Sequence, residues 1–273
     1  MDTRSKSTPS ALSRWIESIG RKSAAAVEEI GVGAMMVGES VYWLVAGSRK
    51  KQPVRLGSIA QQMMEIGIQA IPIVALMAGT IGIMLAIQGI HTLKLFGAES
   101  RVAVGIAFSM VREFGPLITG ILVAGRSGSA LAARLGTMKI NQEIDALKVM
   151  GVNPVRYLVV PALIAMLIML PCLTFFSMAV GLLGGGLYIG FDLGISLAAY
   201  TDQVLTILSM DDLMHGLGKS VLFAVLIAVI GVVNGASVAG GAEGVGKVTT
   251  RAVVQSISAI VVTDMIFAFA VTR

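Results

Sequence analysis

Apolar residues in this chain run in long blocks and do not alternate with polar ones. Five blocks stand out: Ile66 to Ile90, Val102 to Gly125, Tyr157 to Ile189, Leu217 to Gly240 and Ala252 to Val271. Each approaches or exceeds the roughly 20 apolar residues that a helix needs to cross bilayer hydrocarbon. The stretches between them alternate in charge. Residues 47–57 and 126–156 are basic, 91–101 nearly neutral, and 241–251 mildly basic, while 191–212 carries Asp192, Asp202, Asp211 and Asp212 without a Lys or Arg. Basic loops stay in the cytoplasm, so five crossings with the N-terminus inside and the C-terminus outside fit every loop. An even number of crossings would strand a strongly basic loop outside. The pattern predicts an all-α integral membrane protein.

Ahead of these blocks, residues 1–22 are basic and Ser-rich. Ala11 to Ile30 fits an amphipathic helix, with Leu12, Trp15, Ile16 and Ile19 opposite Arg14, Glu17, Arg21 and Lys22, the pattern of a helix lying among headgroups. Ile30 to Ala46 is apolar but short, holds Glu39, and is followed by Arg49, Lys50, Lys51 and Arg55. With positive charge on both flanks, residues 11–46 are expected to dip into the membrane as an interfacial or re-entrant helix without crossing it. The chain divides accordingly into an interfacial segment, 1–57, and a transmembrane domain, 58–273.

The longest polar interruption between strongly apolar blocks, Gly125 to Pro161, carries Arg126, Arg134, Lys139, Lys148 and Arg156 against Glu143 and Asp145. Its core reads as one short cytoplasmic helix over about 137–150. Ile140, Ile144, Leu147 and Gly151 share one side, with Lys139, Glu143 and Lys148 mostly elsewhere. Gly151 is expected to end it and Pro154 to stop it resuming. A short amphipathic helix pinned between two spans suits a protein pushed from the cytoplasm.

Composition narrows the function. With 55% hydrophobic and 14% charged residues and a mean hydropathy of +0.84, a soluble domain is excluded. The net charge of +5 gathers beside apolar blocks, as in juxtamembrane loops, which argues against nucleic acid. Cys172 has no partner for a disulfide, and His91 and His215 are too distant in sequence to argue for a metal. The polar first twenty residues show no cleavable signal. Gly125-Arg126-Ser127-Gly128 matches a serine protease signature, yet by this topology both histidines lie roughly 30 Å away across the membrane. Gly241 to Val248 resembles a phosphate-binding loop, but Val248 stands where a hydroxyl must meet magnesium and no strand precedes it. No catalytic residue, cofactor or metal is assigned.

Four charges fall inside the apolar blocks. Arg112 and Glu113 sit near the bilayer midplane, where a charge costs at least roughly 2.5 kcal/mol. Lys219 lies near the outer end of its block and Asp264 past the middle of its own. Together they sum to zero. Mutual salt bridges that fix packing and a polar lining for a headgroup or proton path are equally good readings. Gln88 and Asn234 are weaker candidates, more in keeping with interhelical hydrogen bonds. The pairs Gly181/Gly185, Gly186/Gly190, Gly231/Gly235 and Gly240/Gly244 fit close helix packing.

Several runs resemble the MlaE/YrbE-type permeases of MCE-associated ABC lipid transporters: Arg112-Glu113-Phe114-Gly115-Pro116, GRSGSALAARLGTM from Gly125, EIDALKVMGVNPVRYLVVP from Glu143, and GVGKVTTRAVVQS with Asp264 beyond it. The sequence departs from that pattern at Gln142-Glu143, Arg134 and Ala162. The resemblance implies a homodimeric permease of the bacterial inner membrane with five spans and a cytoplasmic coupling helix. It further implies a separate cytoplasmic ABC ATPase, a periplasmic MCE-domain protein, often a STAS-domain partner, and phospholipid as substrate. Carried over by position, Arg112, Glu113, Lys219 and Asp264 line the lipid path. Gln88, Leu85 and Asn234 join them as substrate-binding candidates, and Leu85, Ile87 and Met84 would face acyl tails. The ATPase contact falls on Lys139, Gln142, Glu143, Asp145, Leu147 and Lys148. The rival is a stand-alone ion-coupled secondary transporter using Glu113 and Asp264, against which the sequence shows no pair of matching hydrophobic halves.

Overall fold

The computed structural model describes residues 20, 27–28, 31–43 and 55–271. Among them there is no strand. The helices are α1 (31–43), α2 (Leu56–Lys94), α3 (Glu99–Ile140), α4 (Glu143–Val149), α5 (Val155–Leu193), α6 (Leu197–Ile207), α7 (Met210–Ala236) and α8 (Gly241–Val271). Five of them, α2, α3, α5, α7 and α8, are long and apolar enough to cross a membrane, one for each apolar block. The amphipathic helix expected over 11–30 lies almost wholly outside the described residues. Helix α1 falls within the short apolar segment that follows.

Glycine lets the helices touch backbone to backbone. A Cβ on Gly82 of α2 would overlap the Gly181 carbonyl of α5, and one on Gly184 would lie 2.6 Å from the Gly79 carbonyl oxygen. Lipid offers no hydrophobic drive between helices, so this close van der Waals contact holds them together. Leu131, Met166, Leu170, Phe223 and Ile260 fill one core among the spans. A second core lies at the α6 end, where Tyr200 covers Ile106 and Ile189 and lies against Gly186. The outer face of α8, with Val261, Val262, Met265, Ile266 and Phe269, is exposed.

The single helix expected over 137–150 is divided. Residues 137–140 continue α3, which ends at Ile140. Gln142 then takes a left-handed turn (φ 58°) before α4 begins. Gly151 ends α4 as expected. At φ 73°, its N–H donates to the Lys148 carbonyl and the Val152 N–H to the Leu147 carbonyl, both at 2.9 Å, satisfying carbonyls the helix leaves open. Helix α4 does not resume past Pro154, as expected, and Pro154 opens the next helix. Its fixed φ suits a first turn and its missing N–H needs no partner there, while the Asn153 side chain accepts from the Arg156 N–H at 3.1 Å.

Two predictions follow from this packing. Gly82→Ala lowers thermal stability in detergent by about 1–3 kcal/mol through overpacking, whereas Gly105→Ala, which meets nothing within 4 Å, leaves it unchanged or raises it. Tyr200 is buried, its hydroxyl has no hydrogen-bond partner, and burial pushes its pKa up to about 12. The unfolded tyrosine ionises near pH 10, so this residue's share of stability is intact below about pH 10 and is lost as pH rises through the folded value. Tyr200→Phe keeps the melting temperature at neutral pH and flattens that alkaline loss, measured by thermal unfolding across pH.

Candidate functional site

In the first half of α3, residues Ser109–Phe114 form a wider π turn, a local defect common at functional positions. It presents Arg112 and Glu113 toward α7. There Gly216 has no side chain to hold α7 away, since a Cβ would collide with the Val111 carbonyl and the Met178 side chain. Asp212 and Lys219, about one turn to either side of Gly216, therefore come down on the π turn.

Two sets of ion pairs result. Asp212 Oδ1 lies 2.5 Å from Arg112 Nη2 and accepts from Arg112 Nε at 2.6 Å. Its Oδ2 accepts from the Ser209 N–H at 2.8 Å and the Ser209 hydroxyl at 2.7 Å, and the Ser209 side chain caps α7 in return, a reciprocal capping box. Lys219 is fully buried, with Nζ 2.6 Å from Glu113 Oε2 and 3.0 Å from Asp264 Oδ1. Its ammonium also lies 5.9 Å from the centre of the Phe267 ring, which His215 meets edge-on. A buried ammonium is tolerable only when carboxylates stand beside it. The partners are less enclosed, the Arg112 side chain being 45% and the Glu113 side chain 40% exposed.

The structure thus joins all four predicted charges, but with an unforeseen fifth. Arg112 pairs with Asp212, which the sequence placed in an acidic loop. Three acids against two bases leave the cluster one negative charge in excess. The signal for Asp212 was present in the Ser209-x-x-Asp212 spacing of a capping box.

Leu85 and Gln88 share a groove of about 290 Å³ between α2 and α3, with Thr92, Ile106 and Ser109; Ser109 opens the π turn that carries Arg112. Asn234 is elsewhere. It is buried toward the other end of α7, donating to Gln255 Oε1 on α8 at 2.6 Å and to the Ile230 carbonyl at 2.9 Å, roughly 22 Å along the helix from Lys219.

At the opposite end of the bundle, α4 turns Ile144 and Leu147 onto the core. Gln142, Glu143, Asp145 and Lys148 face outward, and Lys148 pairs with Asp145 at 3.0 Å. Lys139 caps α7 instead, donating to the Ala236 carbonyl. Sequence reasoning missed Val149 and Met150, 89% and 67% exposed, whose signal is their position off the inward face just before Gly151.

Fold and site together define a multi-span α-helical membrane protein with an ionised cluster enclosed among three spans. Comparison with known proteins adds that the family model described as Permease MlaE matches residues 59–270. The chain belongs to the MlaE permease family. It is 33% identical over 254 residues to the probable ABC transporter permease protein of Rickettsia typhi, covering 91% of this chain and 96% of that one. A probable ABC transporter permease protein of Synechocystis is 38% identical over 205 residues (75% and 78%). The intermembrane phospholipid transport system permease protein MlaE of Haemophilus influenzae is 34% identical over 210 residues (76% and 80%).

Removing the ammonium strands two carboxylates. Lys219→Met is expected to destabilise the folded chain by about 3–5 kcal/mol, and Glu113→Gln by less, because Asp264 still balances Lys219. Unfolding in nanodiscs measures both, and equal effects would show that the lysine is not the centre of the cluster.

Proposed function

We propose that this chain is the permease subunit of an ABC transporter that moves phospholipid or a related lipid between the bacterial inner membrane and a periplasmic MCE-domain protein. A separate cytoplasmic ATPase supplies the energy, a STAS-domain protein is a further partner, and this chain carries out no catalytic step. Membership of the MlaE family and the lipid-transport name of the Haemophilus relative support the substrate class. The basic loops support an orientation with the N-terminus and α4 in the cytoplasm and α6 outside. Residues 58–273 form the permease domain, and 1–57 the interfacial segment before it. The exposed apolar face of α8 suits a second copy, giving a homodimer with the lipid path between its halves.

The observation that carries this reading is the form of α4. It is seated on the bundle by two apolar residues, while its charges and the apolar pair Val149 and Met150 are left outward for another subunit. Closure of the ATPase pair would push α4, and a push there reaches α3 through the Gln142 turn. α3 carries Arg112 and Glu113 at its π turn, so movement at one end changes the setting of the charges at the other. A difference in α4 position between nucleotide states is what performs work. Acyl tails would lie along Leu85 and its neighbours, with the phosphate toward Arg112. The ion-coupled alternative assigns Glu113 and Asp264 to a coupling ion, without an ATPase.

Val149→Asp with Met150→Asp, or Glu143→Lys with Asp145→Lys, should abolish co-purification of the ATPase and lipid transport together while the permease stays folded. Glu113→Gln should impair transport with the ATPase still bound. Full lipid transport by the isolated chain without an ATPase would establish the ion-coupled alternative.

A further inference from the structure

A second polar cavity, of about 310 Å³, lies at the α4 end between α2, α3 and α5, far from the Lys219 cluster. Arg126 and Arg134 reach it from α3, and Glu65 is the one carboxylate in its lining. Arg126 spends donors on neutral oxygens: Nη1 on the Glu65 carbonyl at 2.9 Å and Nη2 on Gln69 Oε1 at 2.7 Å. Arg134 lies 4.0 Å from the Glu65 carboxylate, and the Gln62 amide lies against its two terminal nitrogens, its oxygen accepting from Nη2 at 2.5 Å and Nη1 at 2.6 Å once the amide is turned over. The Arg134 Nε is buried with no partner. Among the described residues two guanidinium groups thus share one carboxylate in a partly enclosed cavity, an excess of one positive charge.

The position of the cavity says what could fill it. It straddles the level where the apolar block of α2 begins, at Ile66, and that of α3 ends, at Gly125. Its lining also includes the apolar Leu131, Ala162 and Met166. Guanidinium groups beside apolar side chains, at the hydrocarbon boundary and between spans, suit a phosphate with acyl chains attached.

We propose that this cavity binds the phosphate of an anionic phospholipid, a lipid site separate from the one at Arg112 and Glu113. Placing that lipid in the cytoplasmic leaflet rests on the orientation given above; the binding itself does not depend on the transport reading. A free phosphate ester shares the chemistry, and the test separates the two sources.

The purified full chain in detergent is mixed with phosphatidylglycerol or phosphatidylcholine, and retained lipid is counted by native mass spectrometry. The chain should retain phosphatidylglycerol in preference, and Arg134→Gln should reduce that preference about tenfold, as loss of a charge-assisted pair does. Arg134→Lys should keep part of it. Lys247→Gln, which removes an exposed cation outside the cavity, should leave the preference intact, which separates the cavity from a general effect of net charge. If Arg134→Gln does not fold, Arg126→Gln is read in its place with the same expectation. Retention undisturbed by millimolar inorganic phosphate assigns the site to a lipid headgroup, and displacement by phosphate assigns it to a free phosphate ester. Equal preference for phosphatidylglycerol in the unaltered chain and the glutamine variant, or no preference in either, overturns the proposal.

Discussion

An amino group sealed from water needs opposite charge within a few ångströms to be tolerated, and Lys219 is buried between two carboxylates. Its carboxylates come from two other helices, Glu113 from α3 and Asp264 from α8, so one buried charge fixes the relative depth and rotation of three spans. Gly216 makes this possible by bringing α7 onto the α3 backbone. The Arg112 and Asp212 pair repeats the arrangement toward the α6 end, where Asp212 also caps α7. Slippage of α7 by a single residue would break every one of these contacts, which makes the cluster a register lock as well as a polar site.

The lock is asymmetric. Lys219 is enclosed while Arg112 and Glu113 are only half covered, so the bond that orders the helices and the charges left open belong to the same network. Helix α3 carries those half-covered charges at one end and leads to α4 at the other. It is interrupted by two π turns, Ser109–Phe114 and Ala124–Gly128, where the backbone hydrogen bonding is already wider than in an α-helix. Each turn sits beside a polar cavity or groove. In the proposed transport cycle, a long helix widened at these two places would transmit a push from α4 and change the presentation of Arg112.

Much of this was legible in the sequence for simple reasons. Apolar blocks of spanning length have few alternatives, so the five crossings follow from hydropathy, and the glycine at 151 marks a helix end because left-handed backbone favours it. Pro154 was legible as the residue past which α4 does not resume, though not as the opening of the next helix. The four intramembrane charges stood out by their cost, but their pairing did not. Asp212 follows a run of loop residues and looks solvated until α7 is seen to begin at Met210. Asn234, a weaker candidate more in keeping with an interhelical hydrogen bond, makes that bond to Gln255 on α8, and helical rise carries it to another level from the charges. Val149 and Met150 escaped because a short helix gives too little periodicity to tell an inward apolar residue from an outward one.

The account depends most on α4 and α6 lying on opposite sides of one membrane, with α4 facing the cytosol. Cysteine accessibility tests this directly: Met150→Cys and Asp202→Cys, each in a Cys172→Ala background, are exposed to a membrane-impermeant maleimide in spheroplasts and then after lysis. The account predicts that position 202 is labelled in intact spheroplasts and position 150 only after lysis. Labelling of position 150 from outside would contradict it.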